Sequence, residues 1–355
     1  MSQSPMSQSP LTINGTTFKP GTRTTIDLPV GKLYTHTPMT MPVHVVNGKK
    51  PGPVLFISAA IHGDEINGVE IIRRLLKLPA IKRVKGTIIA VPIVNVHGLI
   101  NHSRYLPDRR DLNRSFPGTE KGPLASRLAY IFMKEIVSQS THGIDLHTGA
   151  IHRDNLPQIR ANLDDEETSN LAHAFDVPVI ISSNLRDGSL REAAAEHGIP
   201  MLLYEAGEAL RFDEVCIRAG VKGIINVMRF LEMLPPSKSS KKKHIEPVVA
   251  RSSSWIRASD SGILRAMIPL GSRVKKNTLL GIVADPIGDT ESKISSLYNG
   301  IVIGRTNLPL VNEGDALYHI ARFGDITEVE AKVDDFQEEH LPELMPSPNP
   351  ESPII

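Results

Sequence analysis

In the segment AAIHGDEINGVE, residues 59–70, His62 and Glu65 lie three apart, just after an apolar run and at the start of a helical pattern. A turn there can aim an imidazole and a carboxylate at one point. Two His and one carboxylate are a common zinc set, and they leave a position for water. The zincin pattern HExxH is absent, so Glu65 is a candidate ligand rather than a base. GIDLHTG, residues 143–149, places His147 at the end of another apolar run, and IPMLLYEAG, residues 199–207, does the same for Glu205. Open α/β sheets bind ligands outside the carboxyl ends of their strands. Polar candidates that fall repeatedly at strand ends are better evidence than any one of them. Taken singly they have plainer readings, His62 as a loop residue and Glu65 as a first-turn helix carboxylate.

RYLPDRRDLNRSFPGT, residues 104–119, is rich in arginine for a segment between a strand and a helix. Arg104, Arg109, Arg110 and Arg114 could grip a carboxylate bidentately or stabilise an oxyanion. Asp111 could orient a ligand His. The plainer reading is a solvated loop with weak surface ion pairs. The single cysteine, Cys216, excludes an intrachain disulfide and a cysteine-ligated zinc cluster, so a metal must use His and carboxylates. Cys216 falls in an amphipathic pattern and reads as a packed side chain. His97, His102, His142, His152 and His173 read as ordinary polar residues. No GxGxxG follows a strand, and neither GxxxxGK[ST] nor GxSxG occurs, which disfavours nucleotide-binding and serine-hydrolase chemistry.

The elements that must carry these residues alternate. VLFISAA at 54–60 reads as a strand buried on both faces. Glu65–Leu78 reads as an amphipathic helix. TIIAVPIVNV at 87–96 reads as a strand that Pro92 makes irregular or places at an edge. Further helices are expected at 124–136, 169–175, 190–197 and 211–232, and strands at 143–147, 177–182 and 199–207. Short strands at 18–47 precede this core. The fold class is α/β, a mixed central sheet flanked by helices.

The chain has 355 residues, 40% hydrophobic and 22% charged, as a folded protein of about two domains requires. PPSKSSKKKHIEP at 235–247 reads as a solvated linker. Residues 18–234 then form the catalytic domain and 248–330 a small all-β domain resembling barrel-sandwich domains of the biotinyl and lipoyl type, though without their Met-Lys attachment site. Residues 1–17 and 331–355 read as tails. A net charge of +1 gives no support for nucleic acid or an anionic membrane as partner. With no signal pattern and no long apolar run, a cytoplasmic location is expected.

HGDE at 62–65, DLNRSFPG at 111–118, DLHTG at 145–149 and YEAG at 204–207 resemble motifs of the zinc carboxypeptidase superfamily, most of all its succinylglutamate desuccinylase and aspartoacylase branch. The resemblance covers about residues 25–235, and the branch also carries a small β domain. It implies one Zn2+ per chain, held by His62, Glu65 and His147. It makes Glu205 the carboxylate that activates water and passes the proton to the leaving nitrogen. Asn113 and Arg114 match the grip on a substrate carboxylate, and Asp111 the partner of the first zinc His. Arg104 matches the oxyanion arginine, but its gap to DLNR is longer than in aspartoacylases, so Arg109 and Arg110 compete. Residues 176–203 contain no Tyr to match the mobile tyrosine of the peptidases. The implied enzyme is a zinc-dependent amidohydrolase of linear amides, a deacylase of a small N-acyl amino acid or amine. A metallocarboxypeptidase acting on peptides or peptidoglycan fragments, and a non-enzymatic small-acid binding protein, are the alternatives. The implied partner is a small molecule bearing a carboxylate. The β domain would narrow the entrance or join copies into a homo-oligomer.

Overall fold

The apolar run VLFISA becomes the strand Val54–Ala59 in a computed structural model of the chain, at the centre of a sheet. The structure describes residues 8–237 and 247–323, together with 333, 335, 336, 339 and 340. Thirteen strands share the main sheet. Its principal path runs Ser252–Arg257, Ala316–Arg322, Gly300–Thr306, Arg153–Ala161, Met201–Glu208, His142–Gly149, Val54–Ala59, Thr87–Val91, Pro38–Asn47 and Arg23–Lys32. The four strands from Met201–Glu208 to Thr87–Val91 pair in parallel, and their outer neighbours on this path are antiparallel. The protein is thus an α/β fold with a mixed sheet, helices packed on it and C-terminal β-structure.

Side chains alternate across the sheet as a period of two requires. Leu55, Ile57 and Ala59 join one apolar core, while Phe56 joins the other. Helices Asn67–Lys77, Glu166–Phe175 and Glu214–Phe230 cover the first core, and Leu124–Glu135 and Leu190–Glu196 the second. Ile71, Ile72 and Leu75 form the buried stripe of Asn67–Lys77, each stabilising its seat by about 1.5–3 kcal/mol. A Cβ on Gly68 would come within 2.7 Å of the Cβ atoms of both Ala59 and Leu146. Glycine there lets the helix lie directly on the two strands that lead to His62 and His147.

Several expectations need correction. The strand expected at 87–96 stops at Val91 and is central rather than at an edge. After Pro92 the chain turns, and Asn95 caps the short helix Val96–Ile100 through its side chain, which accepts from the Gly98 N–H. The strand Arg153–Ala161, absent from the sequence reading, is the hub where Met201–Glu208, Val179–Ser182 and Gly300–Thr306 meet. Residues 11–18, expected to be largely loose, form a hairpin closed by Asn14 and Gly15, both at positive φ. Asn-Gly is the dipeptide that such a two-residue turn favours.

Strand pairing also joins the two regions expected at 18–234 and 248–330. Val248–Ala250 pairs with Val179–Ser182, and Gly300–Thr306 with Arg153–Ala161. A separate four-stranded sheet, containing Gly262–Ala266 and Leu279–Ala284, lies within the C-terminal region. Most of the expected linker, residues 238–246, lies outside the described residues, as does most of the segment 331–355. Val333 and Phe336 are buried against the cores. Among the described residues, no helix is long and apolar enough to cross a membrane.

Candidate active site

His62 and Glu65 occupy the turn after Val54–Ala59, and His147 lies near the end of His142–Gly149, the adjacent parallel strand. All three are buried. Glu65 Oε1 lies 2.7 Å from His62 Nδ1, Oε2 lies 2.7 Å from His147 Nδ1, and the two Nδ1 atoms are 3.2 Å apart. The opposite ring nitrogens are both tied to carboxylates. His62 Nε2 donates to Asp111 Oδ1 at 3.1 Å, and His147 Nε2 donates to Asp145 Oδ2 at 2.7 Å. Asp145 is itself fixed by the Ser58 hydroxyl at 2.7 Å.

These contacts decide what the group can hold. A carboxylate only accepts, so each Nε2 donates, and in its neutral form either ring would aim its Nδ1 lone pair at the other ring and at Glu65. Three electron-rich atoms crowded in a dry site call for a cation between them. In the protein alone, burial pushes the Glu65 carboxyl up, but His62 and His147 outweigh it and hold the group well below the usual range. Burial pushes the His147 imidazole down, yet Asp145 and Glu65 hold it well above the ordinary value. Added protons can relieve the crowding, and so can a metal ion bound by the deprotonated set. One ligand atom from each of the three residues lies within 4.8 Å of the others, the spacing of a metal-holding group. Carboxylates on the outer nitrogens are the usual supports of metal-binding His. Asp145→Asn is therefore expected to weaken metal affinity about 10–100-fold, read by competition with a chelator. Unchanged affinity would show that Asp145 does not orient His147.

Glu205 stands one strand further along, in register with His147. The period of two sends its neighbour Tyr204 into the core, where the hydroxyl donates to the Cys216 carbonyl at 2.7 Å, and sends Glu205 to the other face. Asn155 Nδ2 donates to Glu205 Oε2 at 2.7 Å, and Arg160 Nε lies 3.2 Å from Oε1. Cys216 is buried, and burial drives its thiol well above the ordinary pKa, as expected of a packed side chain.

His62, Glu65, His147 and Glu205 all line one cavity of about 200 Å³. The candidate arginines separate there. Arg104 faces the cavity and donates to Glu65 Oε1 at 3.1 Å and to Asp111 Oδ2 at 3.1 Å. Arg109 and Arg110 are exposed and are not among the lining residues. Asn113 and Arg114 both line the cavity. Asn113 Oδ1 accepts from the Leu190 N–H at 3.0 Å, which anchors the start of Leu190–Glu196 beside the site.

The structure adds residues that the sequence did not single out: Asn155, Arg153 and Arg160 from the unforeseen strand, Arg186 before and Arg191 within the helix Leu190–Glu196, and Trp255 from beyond the expected linker. Among the described residues, no carboxylate lies within 4.0 Å of Arg114, Arg153, Arg186 or Arg191. Burial and the neighbouring guanidinium of Arg160 push Arg191 down to about 10, so it is still cationic near neutral pH. A cavity lined by so many guanidinium groups attracts an anion.

Comparison with known proteins agrees with this geometry. The family model for the succinylglutamate desuccinylase/aspartoacylase catalytic domain matches residues 51–231. N-alpha-acetyl-L-2,4-diaminobutyric acid deacetylase of Halomonas elongata is 26% identical over 292 residues, covering 79% of this chain and 85% of the relative. A succinylglutamate desuccinylase/aspartoacylase structure from Rhodobacter sphaeroides has a TM-score of 0.75 at 22% identity, covering 85% of this chain and 95% of that one. The product-bound ectoine utilization protein EutE (DoeB) of Ruegeria pomeroyi has a TM-score of 0.76 at 24% identity, covering 90% of this chain and 99% of that one. These two structures share the fold.

Proposed function

Since the chain belongs to the succinylglutamate desuccinylase/aspartoacylase family, we propose that it is a zinc-dependent deacylase hydrolysing the amide bond of a small N-acyl amino acid. The observation that carries this reading is the buried His62–Glu65–His147 group beside Glu205 in a cavity lined with guanidinium groups. The similar Halomonas elongata protein bears the name of a deacetylase of an N-acetylated amino acid, which supports the reaction class.

His62, Glu65 and His147 would hold the metal, and two imidazoles with one carboxylate suit zinc. The ion would supply a Lewis acid that polarises the amide carbonyl and acidifies a water toward a pKa of about 7. Glu205, held by Asn155 and Arg160, has a fixed carboxylate with which to take a proton from water and return it to the departing nitrogen. Arg104, which lines the cavity, would meet negative charge developing on the carbonyl oxygen. Arg114, beside Asn113, holds the substrate carboxylate. The small volume of the cavity favours a small amide over a peptide chain.

The test is a turnover screen over N-acetyl and N-succinyl amino acids and diamines, run beside peptides with free C-termini, before and after chelation. Chelator-sensitive release of the free amino acid is expected, and peptide trimming without deacylation would overturn the proposal. With the best substrate, Arg114→Ala is expected to raise KM about 10–100-fold, the loss of one charge-assisted grip. Zinc content should stay at the wild-type level. An unchanged KM would remove Arg114 from the binding role.

A further inference from the structure

Asn67 opens the helix that follows the turn carrying His62 and Glu65, and its side chain is buried. It is not among the residues that line the cavity. Its carboxamide nevertheless spans two distant segments. Nδ2 donates to the Ala206 carbonyl at 3.1 Å, and Oδ1 accepts from the Asp213 N–H at 3.1 Å. Only this orientation of the amide matches a donor to the carbonyl and an acceptor to the N–H. Ala206 directly follows Glu205. Asp213 caps the helix Glu214–Phe230, its side chain accepting from the Cys216 N–H at 2.9 Å. Asn67 therefore clasps both ends of the turn by which the chain leaves Glu205.

The sheet ladders are irregular at that point on both sides. Toward the metal ligands the register passes from Glu205 opposite His147 to Glu208 opposite Gly149, three residues against two. Toward Arg153–Ala161 it passes from Glu205 opposite Gln158 to Gly207 opposite Asn155, two residues against three. Ala206 falls within both shifts, where regular pairing is locally disrupted and side chains are re-aimed. Its carbonyl is the group that Asn67 takes. Gly207 has φ +78°, and a Cβ there would lie 2.5 Å from Asn67 Nδ2, so the turn is shaped to admit the amide. Two backbone bonds complete the seating. The Ala209 N–H donates to the Gly149 carbonyl at 3.0 Å, and the Leu210 N–H donates to the Asp64 carbonyl at 2.8 Å. Gly149 follows His147 closely, and Asp64 lies between His62 and Glu65. The turn after Glu205 is thus built on the segments that carry the proposed metal ligands.

We propose that Asn67 is a positioning residue for the reaction: by holding the bulge from which Glu205 projects, it sets the place of the Glu205 carboxylate relative to the metal ligands. The inference rests on the deacylase reading and deepens it by naming the group that registers the base against the metal. Asn155 and Arg160 hold the end of the Glu205 side chain, whereas Asn67 holds the backbone beneath it. Proton transfer needs the carboxylate within hydrogen-bond reach of the water. A misplacement of about 1 Å, caused by a change away from the reacting atoms, can cost about 100-fold in rate.

Asn67→Asp tests this with almost no change of shape. It keeps an oxygen for the Asp213 N–H but cannot donate to the Ala206 carbonyl. Zinc-loaded Asn67→Asp should lose kcat about 10–100-fold and change KM far less, with zinc content at the wild-type level. Asn67→Ala, which introduces no charge, should match it. In a Glu205→Gln background either substitution should lower kcat by less than about threefold further, because residues that act as a unit are not additive. A merely structural role forecasts the same factor in both backgrounds, and that result would overturn the proposal. So would loss of zinc from both variants, since Asn67 would then support the metal rather than Glu205. Crystal structures of the zinc-loaded wild type and Asn67→Asp give a readout free of turnover. The Glu205 carboxylate should shift by about 1 Å or more while His62, Glu65 and His147 stay in place, and an unmoved carboxylate would count against Asn67 equally. If the wild type hydrolyses no amide, the deacylase reading fails by itself. The displacement then decides whether Asn67 positions Glu205.

Discussion

A Glu205→Gln enzyme is expected to keep its zinc and lose kcat by about 100- to 10,000-fold, the usual share of a general acid–base group. That corresponds to roughly 3–5 kcal/mol of transition-state stabilisation. Glutamine preserves the length of the side chain, and its amide oxygen can still accept from Asn155, which donates to Glu205 in the wild type. What it removes is the group that takes and returns the proton. Because that transfer belongs to the transition state, KM should change far less than kcat. If Glu205 were only a structural partner of Arg160 and Asn155, the variant would show a fall in melting temperature and near-normal turnover. Steady-state kinetics with metal analysis on the same preparation distinguishes the outcomes. Full zinc with more than half the wild-type kcat would sink the mechanism.

His147→Ala is expected to do the opposite, losing the metal first and activity with it. The imidazole is buried between Glu65 and Asp145, and its removal leaves Asp145 with only the Ser58 hydroxyl among its two named partners. Affinity should fall by more than the 10–100-fold typical for losing a group that merely orients a ligand. Wild-type protein purified without chelator should carry about one zinc per chain. His62→Ala should behave in the same way. Full zinc retention in both variants would exclude this group as the metal site.

His62, Glu65, His147 and Glu205 were legible because each follows an apolar run, and a buried strand announces its own end. The strand Arg153–Ala161 was not, for a physical reason. Arg153, Asn155 and Arg160 face the cavity, and Pro157 interrupts the run, so a strand serving the site loses the apolar pattern by which strands are recognised. Local sequence also could not choose among Arg104, Arg109 and Arg110. Arg104 reaches the cavity through ion pairs with Glu65 and Asp111, partners that only the folded loop brings near. Trp255 is remoter still. Its place depends on the register of strands separated along the chain by well over a hundred residues, and no window of sequence contains that information. The hairpin at 11–18 is a different matter, since Asn14-Gly15 was a readable signal.

The continuity of the sheet has a consequence for the protein as it is made. Asn155 waits for Gly304 as its neighbour, and translation at about 5–20 residues per second puts roughly 7–30 s between their syntheses. During that interval the nascent chain can already contain every proposed metal ligand, while residues 153–155 of the strand Arg153–Ala161 lack their partner on one edge. Such an edge is a template for association with other chains. A fragment ending before residue 300 should therefore be prone to aggregate, not an autonomous catalyst, and maturation of the cavity should be among the final events in the birth of the molecule.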